Sequence, residues 1–122
     1  MLVWCVLVGS TGQSLRLEAI KGVITPDLWN IGGKLEYMAH LQGIGDTNWI
    51  GDFNTCGSVG ESRRMEGAAF RLTDKLPELY DVLYRGHLEE IGYTRWYKNG
   101  EFMGTKGESR RLEGVQVILV RK

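Results

Sequence analysis

The sequence is poor in the residue types that build metal sites and disulfide frameworks. It contains two cysteines, Cys5 and Cys56, and two histidines, His40 and His87. Two cysteines are too few for a disulfide framework, and no Cys or His pair has the close spacing of a metal-ligand motif. Because both cysteines lie in apolar stretches, we expect free thiols rather than the single bridge that they could form. The sequence therefore predicts no metal site and no cofactor.

The sequence also lacks an excess of charge of either sign. Fifteen Lys and Arg residues balance 15 Asp and Glu residues, and the formal net charge is zero. Nucleic-acid binders normally carry a basic excess, because neutralising phosphates supplies much of their affinity. The charge balance therefore argues against nucleic acid as a partner.

Long hydrophobic runs are absent as well. The apolar stretch at residues 2–8 is far shorter than the roughly 20 residues that span a bilayer. It lacks the basic start and the small-residue cleavage pattern of a signal peptide, although a mature form cut from a precursor would have the same sequence. We therefore predict a buried strand at residues 2–8, no membrane span and no signal peptide in this chain.

Proline is scarce and glycine abundant, with two and 17 residues respectively. Such a composition favours many tight turns between short elements. The chain has 122 residues, of which 43% are hydrophobic and 25% charged, as expected for one globular domain with its own core.

An internal repeat is the strongest feature of the sequence. Two copies of one unit are displaced by 47 positions, as from Tyr37 to Tyr84, and the first half of each has the same seven residues at the same spacing. These residues are Tyr37, His40, Leu41, Ile44, Gly45, Thr47 and Trp49, and again Tyr84, His87, Leu88, Ile91, Gly92, Thr94 and Trp96. The second half has a Gly-x-x-Gly turn followed by Arg-x-Glu. A partial copy of that second half lies near the N-terminus, 48 positions before its counterpart.

We call these copies partial unit one (residues 1–24), unit two (34–72) and unit three (81–119). Alternating apolar residues predict strands, for example at residues 35–41 and 82–88. Asn99-Gly100 predicts a type I′ turn within a hairpin over residues 96–103, and the connectors 22–33 and 73–80 have room for a single helical turn. The predicted fold is all-β, a single pseudo-symmetric repeat domain of two and a half units with prism-like or trefoil-like closure. The missing front half of unit one predicts an unpaired edge around residues 2–8.

The repeat strings themselves resemble a known family. They are GSTGQSLRLEAIKG (9–22), YMAHLQGIGDTNW (37–49), YRGHLEEIGYTRW (84–96) and GTKGESRRLEG (104–114). They are similar to the clostridial hydrophobic repeats with a tryptophan, or ChW repeats. The resemblance implies a tandem module of secreted or surface proteins in Gram-positive bacteria that attaches to surfaces or glycans, without a catalytic role. Asp46 departs from the family pattern, in which an aromatic residue is usual at this position.

Seven side chains are candidates for ligand binding. They are Tyr93, Trp96, His87, Asn99, Trp49, His40 and Trp29. An indole face can stack on a sugar ring, although Trp49 and Trp96 can equally anchor the core of their units. We expect Tyr93 and Trp96 to lie near the turn at Asn99, with His87 close by.

No residue is assigned a catalytic role. The repeated Arg-x-Glu pairs place both side chains on one face of a strand, which suggests structural ion pairs. An arginine beside each glutamate favours the ionised carboxylate, which argues against a protonated general acid for glycoside hydrolysis. No Ser–His–acid or Cys–His order supports nucleophilic catalysis either.

The resemblance to ChW repeats therefore implies a non-catalytic binding module at the cell surface or outside the cell. Its expected partner is a glycan or a cell-wall polymer. The alternative is a structural self-assembly or protein–protein adhesion domain, in which the chain would form a homo-oligomer. Exposed tryptophans beside polar groups would favour glycan binding, and buried tryptophans would favour assembly.

Overall fold

The computed structural model describes residues 2–4, 6–11, 17–23, 30–51, 54, 56–57, 65–106 and 111–122, with side chains from residue 30 onwards. The elements in these residues are β1 (Leu2–Trp4), β2 (Val6–Thr11), β3 (Leu17–Val23), β4 (Leu35–Leu41), β5 (Gly45–Asp46), β6 (Ile50–Gly51), β7 (Cys56–Gly57), β8 (Met65–Leu72), α1 (Leu76–Leu79), β9 (Tyr80–Leu88), β10 (Gly92–Tyr93), β11 (Tyr97–Lys98), β12 (Met103–Gly104) and β13 (Leu112–Arg121).

The strands form antiparallel sheets, which confirms the all-β class. One sheet has the order β1-β13-β9-β10 with β11 also on β9, and a second has the order β12-β8-β4-β5 with β6 also on β4. A smaller sheet has the order β2-β3-β7. Helix α1 is the single turn predicted for the second connector, and Pro77 lies in its first turn, where a missing N–H costs little.

Units two and three repeat each other in space as well as in sequence. Tyr37 pairs with Phe70 on β8, and Tyr84 pairs with the corresponding Val117 on β13. Both long pairings shift register at the same place, just before the end of β4 and of β9. The hydroxyls of Thr47 and Thr94 accept hydrogen bonds from backbone N–H groups of β4 and β9 in the same way.

One short strand of unit two and one of unit three pair with a strand of the preceding unit. Strand β12 of unit three pairs with β8 of unit two, through Met103 opposite Ala68 and Gly104 opposite Gly67. Strand β7 of unit two pairs with β3 of partial unit one in the corresponding register. The units are therefore interlocked. The last long strand of each unit (β3, β8 and β13) lies between two partner strands.

The turn at Asn99-Gly100 is confirmed, but the hairpin around it is wrong. Both residues have positive φ angles, 47° and 89°, and the N–H of Glu101 donates to the carbonyl of Lys98. The two arms nevertheless pair with different strands, since β11 joins β9 and β12 joins β8. This arrangement buries Met103 completely between the units, which an isolated hairpin could not do.

The predicted edge around residues 2–8 has partners within the chain. Strand β1 pairs with β13 over Ile118–Val120, and β2 pairs with β3 over its whole length. Strand β2 takes the place on β3 that β4 has on β8. Among the described strands, β1 and β2 each remain the outermost strand of their sheet.

The core lies between the two larger sheets. Its largest fully buried side chains include Tyr37, Phe70 and Tyr84, with ring centroids 6.1 Å and 5.1 Å apart along this series. The tyrosine hydroxyls donate to the carbonyls of Asn54 and Glu101, so the polar ends of both rings are satisfied. Burial raises the pKa of Tyr84 to about 12. Both tyrosines are therefore core residues.

The thiol of Cys56 is free and buried. Burial raises its pKa, and a hydrogen bond with Thr47 at 3.3 Å only partly opposes this effect. Cys5 lies outside the described residues.

Candidate ligand-binding face of unit three

The outer side of strand β9 carries half-exposed polar side chains. Along β9, buried and half-exposed residues alternate strictly, with Asp81, Leu83, Arg85 and His87 directed away from the core. This alternation follows from the period of two in the sequence. It brings Arg85 and His87 onto one face, beside the short strands β10 and β11.

Two exposed aromatic rings lie against one arginine on this face. The guanidinium carbon of Arg85 is 4.3 Å from the ring centroid of Tyr93 and 4.8 Å from that of Trp96. Arg85 Nε also donates to Oε1 of Gln116 at 2.7 Å, which fixes the arginine across the strands. Tyr93 is 51% exposed and Trp96 is 40% exposed. The contacts with Arg85 therefore hold two solvent-accessible rings in place.

His87 continues this face. Its ring meets the ring of Tyr93 edge-on at 5.0 Å between centroids, and its Nδ1 lies 3.0 Å from Oε1 of Glu113. Glu113 also pairs with Arg111, whose Nη2 is 3.5 Å from Oε2. The structure thus brings together the repeated histidine and the repeated Arg-x-Glu pair. Exposed rings lie beside hydrogen-bonding groups, an arrangement suited to a ligand with both apolar and polar surfaces.

The corresponding tryptophan in unit two has different surroundings. Trp49 is half-buried, and the guanidinium of Arg71 lies over its ring at 4.1 Å. Arg71 is itself bound to Glu36, with Nη2 2.8 Å from Oε1. Met38 stands where unit three has Arg85, so unit two has no equivalent arginine between aromatic rings.

His40 lies in an ionic cluster rather than beside an exposed ring. Its Nδ1 is 2.7 Å from Oδ1 of Asp46, and its Nε2 is 3.7 Å from Glu66. Lys106 of unit three reaches the other oxygen of Asp46 at 3.0 Å. The hydrogen bonds from His40 and then from Lys106 lower the pKa of Asp46, although partial burial opposes them. The departure from the family pattern at position 46 thus replaces a ring with a charge.

Asn99 lies far from His87. Its side chain donates to Asp81 at 2.8 Å and accepts from the N–H of Val82 at 3.0 Å. These partners are at the opposite end of β9 from His87, about 20 Å away at roughly 3.3 Å per residue. Asn99 therefore serves the turn, and its hydrogen bond is the main cause that lowers the pKa of Asp81. Trp29 lies outside the described residues.

Arg85 is the central residue of this face that the sequence reasoning missed. The sequence does predict that Arg85 and His87 share one face, because they are two positions apart on a strand with alternating residues. The closeness of Tyr93 and Trp96 to Arg85 depends on how β10 and β11 fold back onto β9, which the local pattern does not show.

Two further observations concern the chemistry of the described part of the chain. Its His, Cys, Asp and Glu residues form no group of three or more that could hold a metal ion. None of its helices has the length and apolar character needed to cross a membrane.

Comparison with known proteins gives one family. The family model described as "Clostridial hydrophobic W" matches residues 40–74 and 87–121, which together make up more than half of the chain. No curated protein and no solved structure matches the chain. Both matches begin at the repeated histidine, and each includes the turn, the tryptophan and the closing strand described above. The chain therefore belongs to the clostridial hydrophobic W (ChW) family.

Proposed function

We propose that this chain is a non-catalytic binding module that attaches to a bacterial cell wall or to another extracellular glycan. Tyr93, Trp96 and His87 form its contact face, with Arg85 as their support. On this proposal the module works outside the cell or at the cell surface of a Gram-positive bacterium. Its neutral net charge suits a sugar polymer better than a polyphosphate ligand.

The exposed pair of rings around Arg85 is the observation that carries this proposal. Sugars have apolar C–H faces that stack on aromatic rings, and hydroxyl groups that need hydrogen-bonding partners. Tyr93 and Trp96 supply the apolar faces. The pair His87–Glu113 and the amide of Gln116 supply polar groups at the edge of the rings. Because the rings are already held in place, binding costs little side-chain entropy.

Unit two is expected to bind the same ligand more weakly. Trp49 is covered by Arg71, and Asp46 takes the place of the ring of Tyr93. We therefore expect one principal site per chain, on unit three.

The test is a titration of wall fragments with the wild type and with Trp96→Ala and Tyr93→Ala. Removing one stacking ring should cost about 1–3 kcal/mol of binding free energy, the scale of burying such a side chain. Ile44→Ala is the control, because it removes an exposed apolar side chain from the turn of unit two. Near-ultraviolet circular dichroism checks that each variant is folded.

Two results would refute the proposal. One is that the wild type binds none of the wall fragments or glycans offered. The other is that Tyr93→Ala and Trp96→Ala bind as tightly as the wild type does. In either case the second candidate, a self-assembly or protein–protein adhesion domain, becomes the better explanation.

A specific observation favours this second candidate, namely the exchange of strands between units. Strand β1 pairs with β13 on the side away from β9. In the same way, β7 pairs with β3 on the side away from β2, and β12 pairs with β8 on the side away from β4. We infer from this cycle that the two and a half units close in a pseudo-three-fold arrangement, prism-like or trefoil-like. A fold built by strand exchange can also exchange strands between chains and so form a homo-oligomer.

A further inference from the structure

Units two and three offer an internal comparison of one surface. In unit two the surface consists of His40 and residues 66–69, and in unit three of His87 and residues 113–116. We call these the unit-two face and the unit-three face. Each pairs the repeated histidine with a glycine on the neighbouring strand, His40 with Gly67 and His87 with Gly114.

The unit-two face is covered by residues 102–106 of unit three. Strand β12 pairs with Gly67 and Ala68, and the N–H of Thr105 donates to the carbonyl of Glu66 at 3.1 Å. The ring of Phe102 meets the ring of His40 edge-on at 6.4 Å. A Cβ atom on Gly67 would clash with the ring of Phe102 and lie 2.6 Å from the carbonyl oxygen of Met103. Residues 102–106 can therefore pack this closely only because residue 67 is a glycine.

The unit-three face has the same histidine, glutamate and glycine, but these residues are more exposed. The side chain of His87 is 40% exposed against 18% for His40, and that of Glu113 is 22% exposed against 3% for Glu66. Gln116 is exposed where Ala69 is buried. No described atom lies within 4 Å of a Cβ atom built on Gly114, and its φ lies outside the left-handed region. Nothing in the described part of the fold requires a glycine at this position.

Within the part of the chain that the structure describes, the edge of β13 at this face has no paired strand. Strand β9 lies on its inner side, and on its outer side β1 reaches only Ile118–Val120. Residues 7–11 of partial unit one correspond to 102–106 in the repeat, but they belong to β2 and are paired with β3. Strand β2 approaches β13, but among the described residues no strand is paired with residues 114–116 on the outer side of β13.

We propose that the unit-three face is a docking site for the segment of another ChW repeat unit that corresponds to residues 102–106. The occupant is an extended peptide with an aromatic residue, followed by a two-residue strand and small polar residues. Its aromatic ring would pack over Gly114 and against His87, as Phe102 packs over Gly67 and against His40. Its strand would add to the edge of β13, as β12 adds to β8.

This proposal goes beyond glycan binding, and its surface shares His87, Glu113 and Gln116 with the glycan face but not the rings of Tyr93 and Trp96. The ring pair of Tyr93 and Trp96 lies on the side of β9 that carries β10 and β11, whereas docking takes place at the opposite edge, on β13. His87 belongs to both surfaces.

The test uses a synthetic peptide with the sequence of residues 99–106 and the full-length, isotope-labelled chain. Titration followed by nuclear magnetic resonance should shift the backbone signals of residues 113–116 and of His87. Gly114→Leu should weaken binding at least about tenfold, because its side chain fills the space that the aromatic ring needs. Gln42→Leu adds the same side chain at an exposed turn of unit two and should bind as the wild type does.

A peptide with alanine in place of Phe102 provides an independent test that leaves the protein unchanged. Its affinity should fall about tenfold, since the aromatic ring makes the main apolar contact. The proposal is overturned if millimolar peptide leaves residues 113–116 unshifted, if the shifts fall only on β8, or if the alanine peptide binds equally well. Trp96→Ala should leave peptide binding intact while weakening binding of wall fragments, so failure of one proposal is distinguishable from failure of the other.

Discussion

At position 46 of unit two stands an aspartate, and at the corresponding position 93 of unit three stands a tyrosine. Both residues lie on two-residue strands that begin with a glycine of positive φ, and both are paired with the repeated histidine on the neighbouring strand. The aspartate is hydrogen-bonded to Nδ1 of His40 at 2.7 Å, whereas the tyrosine meets His87 ring to ring. The residue at this position thus contributes a charge to the cluster in unit two and a ring to the exposed aromatic face in unit three.

The pair Arg111–Glu113 is a second residue-scale feature, and it yields a prediction about stability. Both side chains are about one-fifth exposed, and Arg111 also approaches Glu89 at 3.5 Å. Arg111→Ala leaves Glu113 in a partly buried position with its partners reduced to His87. We expect a loss of about 1–3 kcal/mol in the free energy of unfolding.

A double-mutant cycle measures how much of this loss belongs to the pair. Urea unfolding of Arg111→Ala, Glu113→Ala and the double variant should show the double variant less destabilised than the sum of the single variants. Arg71→Ala with Glu36→Ala is the matched comparison, because Arg71 is more exposed and its coupling should be smaller. Strict additivity at Arg111 and Glu113 would show that the two residues do not interact.

At the scale of elements, an acid-sensitive contact joins two units. Lys106, just after β12, reaches Asp46 on β5, and His40 on β4 binds the same carboxylate. These bonds lower the pKa of Asp46 below its ordinary value of 3.8. The unfolded chain therefore takes up the proton at a higher pH than the folded chain does. The stabilisation is fully present above the unfolded pKa and is lost as the pH falls through the lower, folded pKa.

We therefore expect the stability of the wild type to fall more steeply below about pH 4 than that of Asp46→Asn. Thermal melts across the acid range measure this difference. Lys106→Met should remove only part of the effect, because the hydrogen bond from His40 is the larger cause. Parallel stability curves for the wild type and Asp46→Asn would contradict this explanation.

The short strands could not be paired correctly from the sequence. The turn at Asn99-Gly100 follows from local chemistry, because Asn and Gly tolerate positive φ angles. Each arm of the turn instead pairs with the free edge of another strand: β11 pairs with β9, and β12 pairs with β8. A two-residue strand carries too few side chains to specify such a partner by its own pattern.

At the scale of the whole molecule, the N-terminal strand β1 and the C-terminal strand β13 are paired in one sheet. Removing residues 2–4 would free the edge of β13 at Ile118–Val120. We expect this deletion to lower the stability of the chain and to raise its tendency to self-associate, because exposed strand edges pair with one another.

Sedimentation velocity across a concentration series, together with urea unfolding, measures both effects against the wild type. An increase in sedimentation coefficient with concentration should be larger for the deletion than for the intact chain. A deletion variant that remains monomeric and as stable as the wild type would show that β1 adds nothing to the fold.

Periodicity and repetition in the sequence were enough to determine the class of the fold. Alternation over residues 35–41 and 82–88 defines the strands and buries Tyr37 and Tyr84, because side chains on a strand alternate between its two faces. Repetition of a dozen residue types at fixed spacing identifies the family.

Only the tertiary structure decided which of the repeated residues share a surface. It joined Arg85 to Tyr93 and Trp96, and placed Asn99 at the opposite end of β9 from His87. It also covered Gly67, whereas no other described residue covers Gly114. These outcomes depend on which unit follows which in space. Two repeats of one sequence pattern acquire different surroundings when one has a neighbouring unit packed against it and the other has none among the described residues.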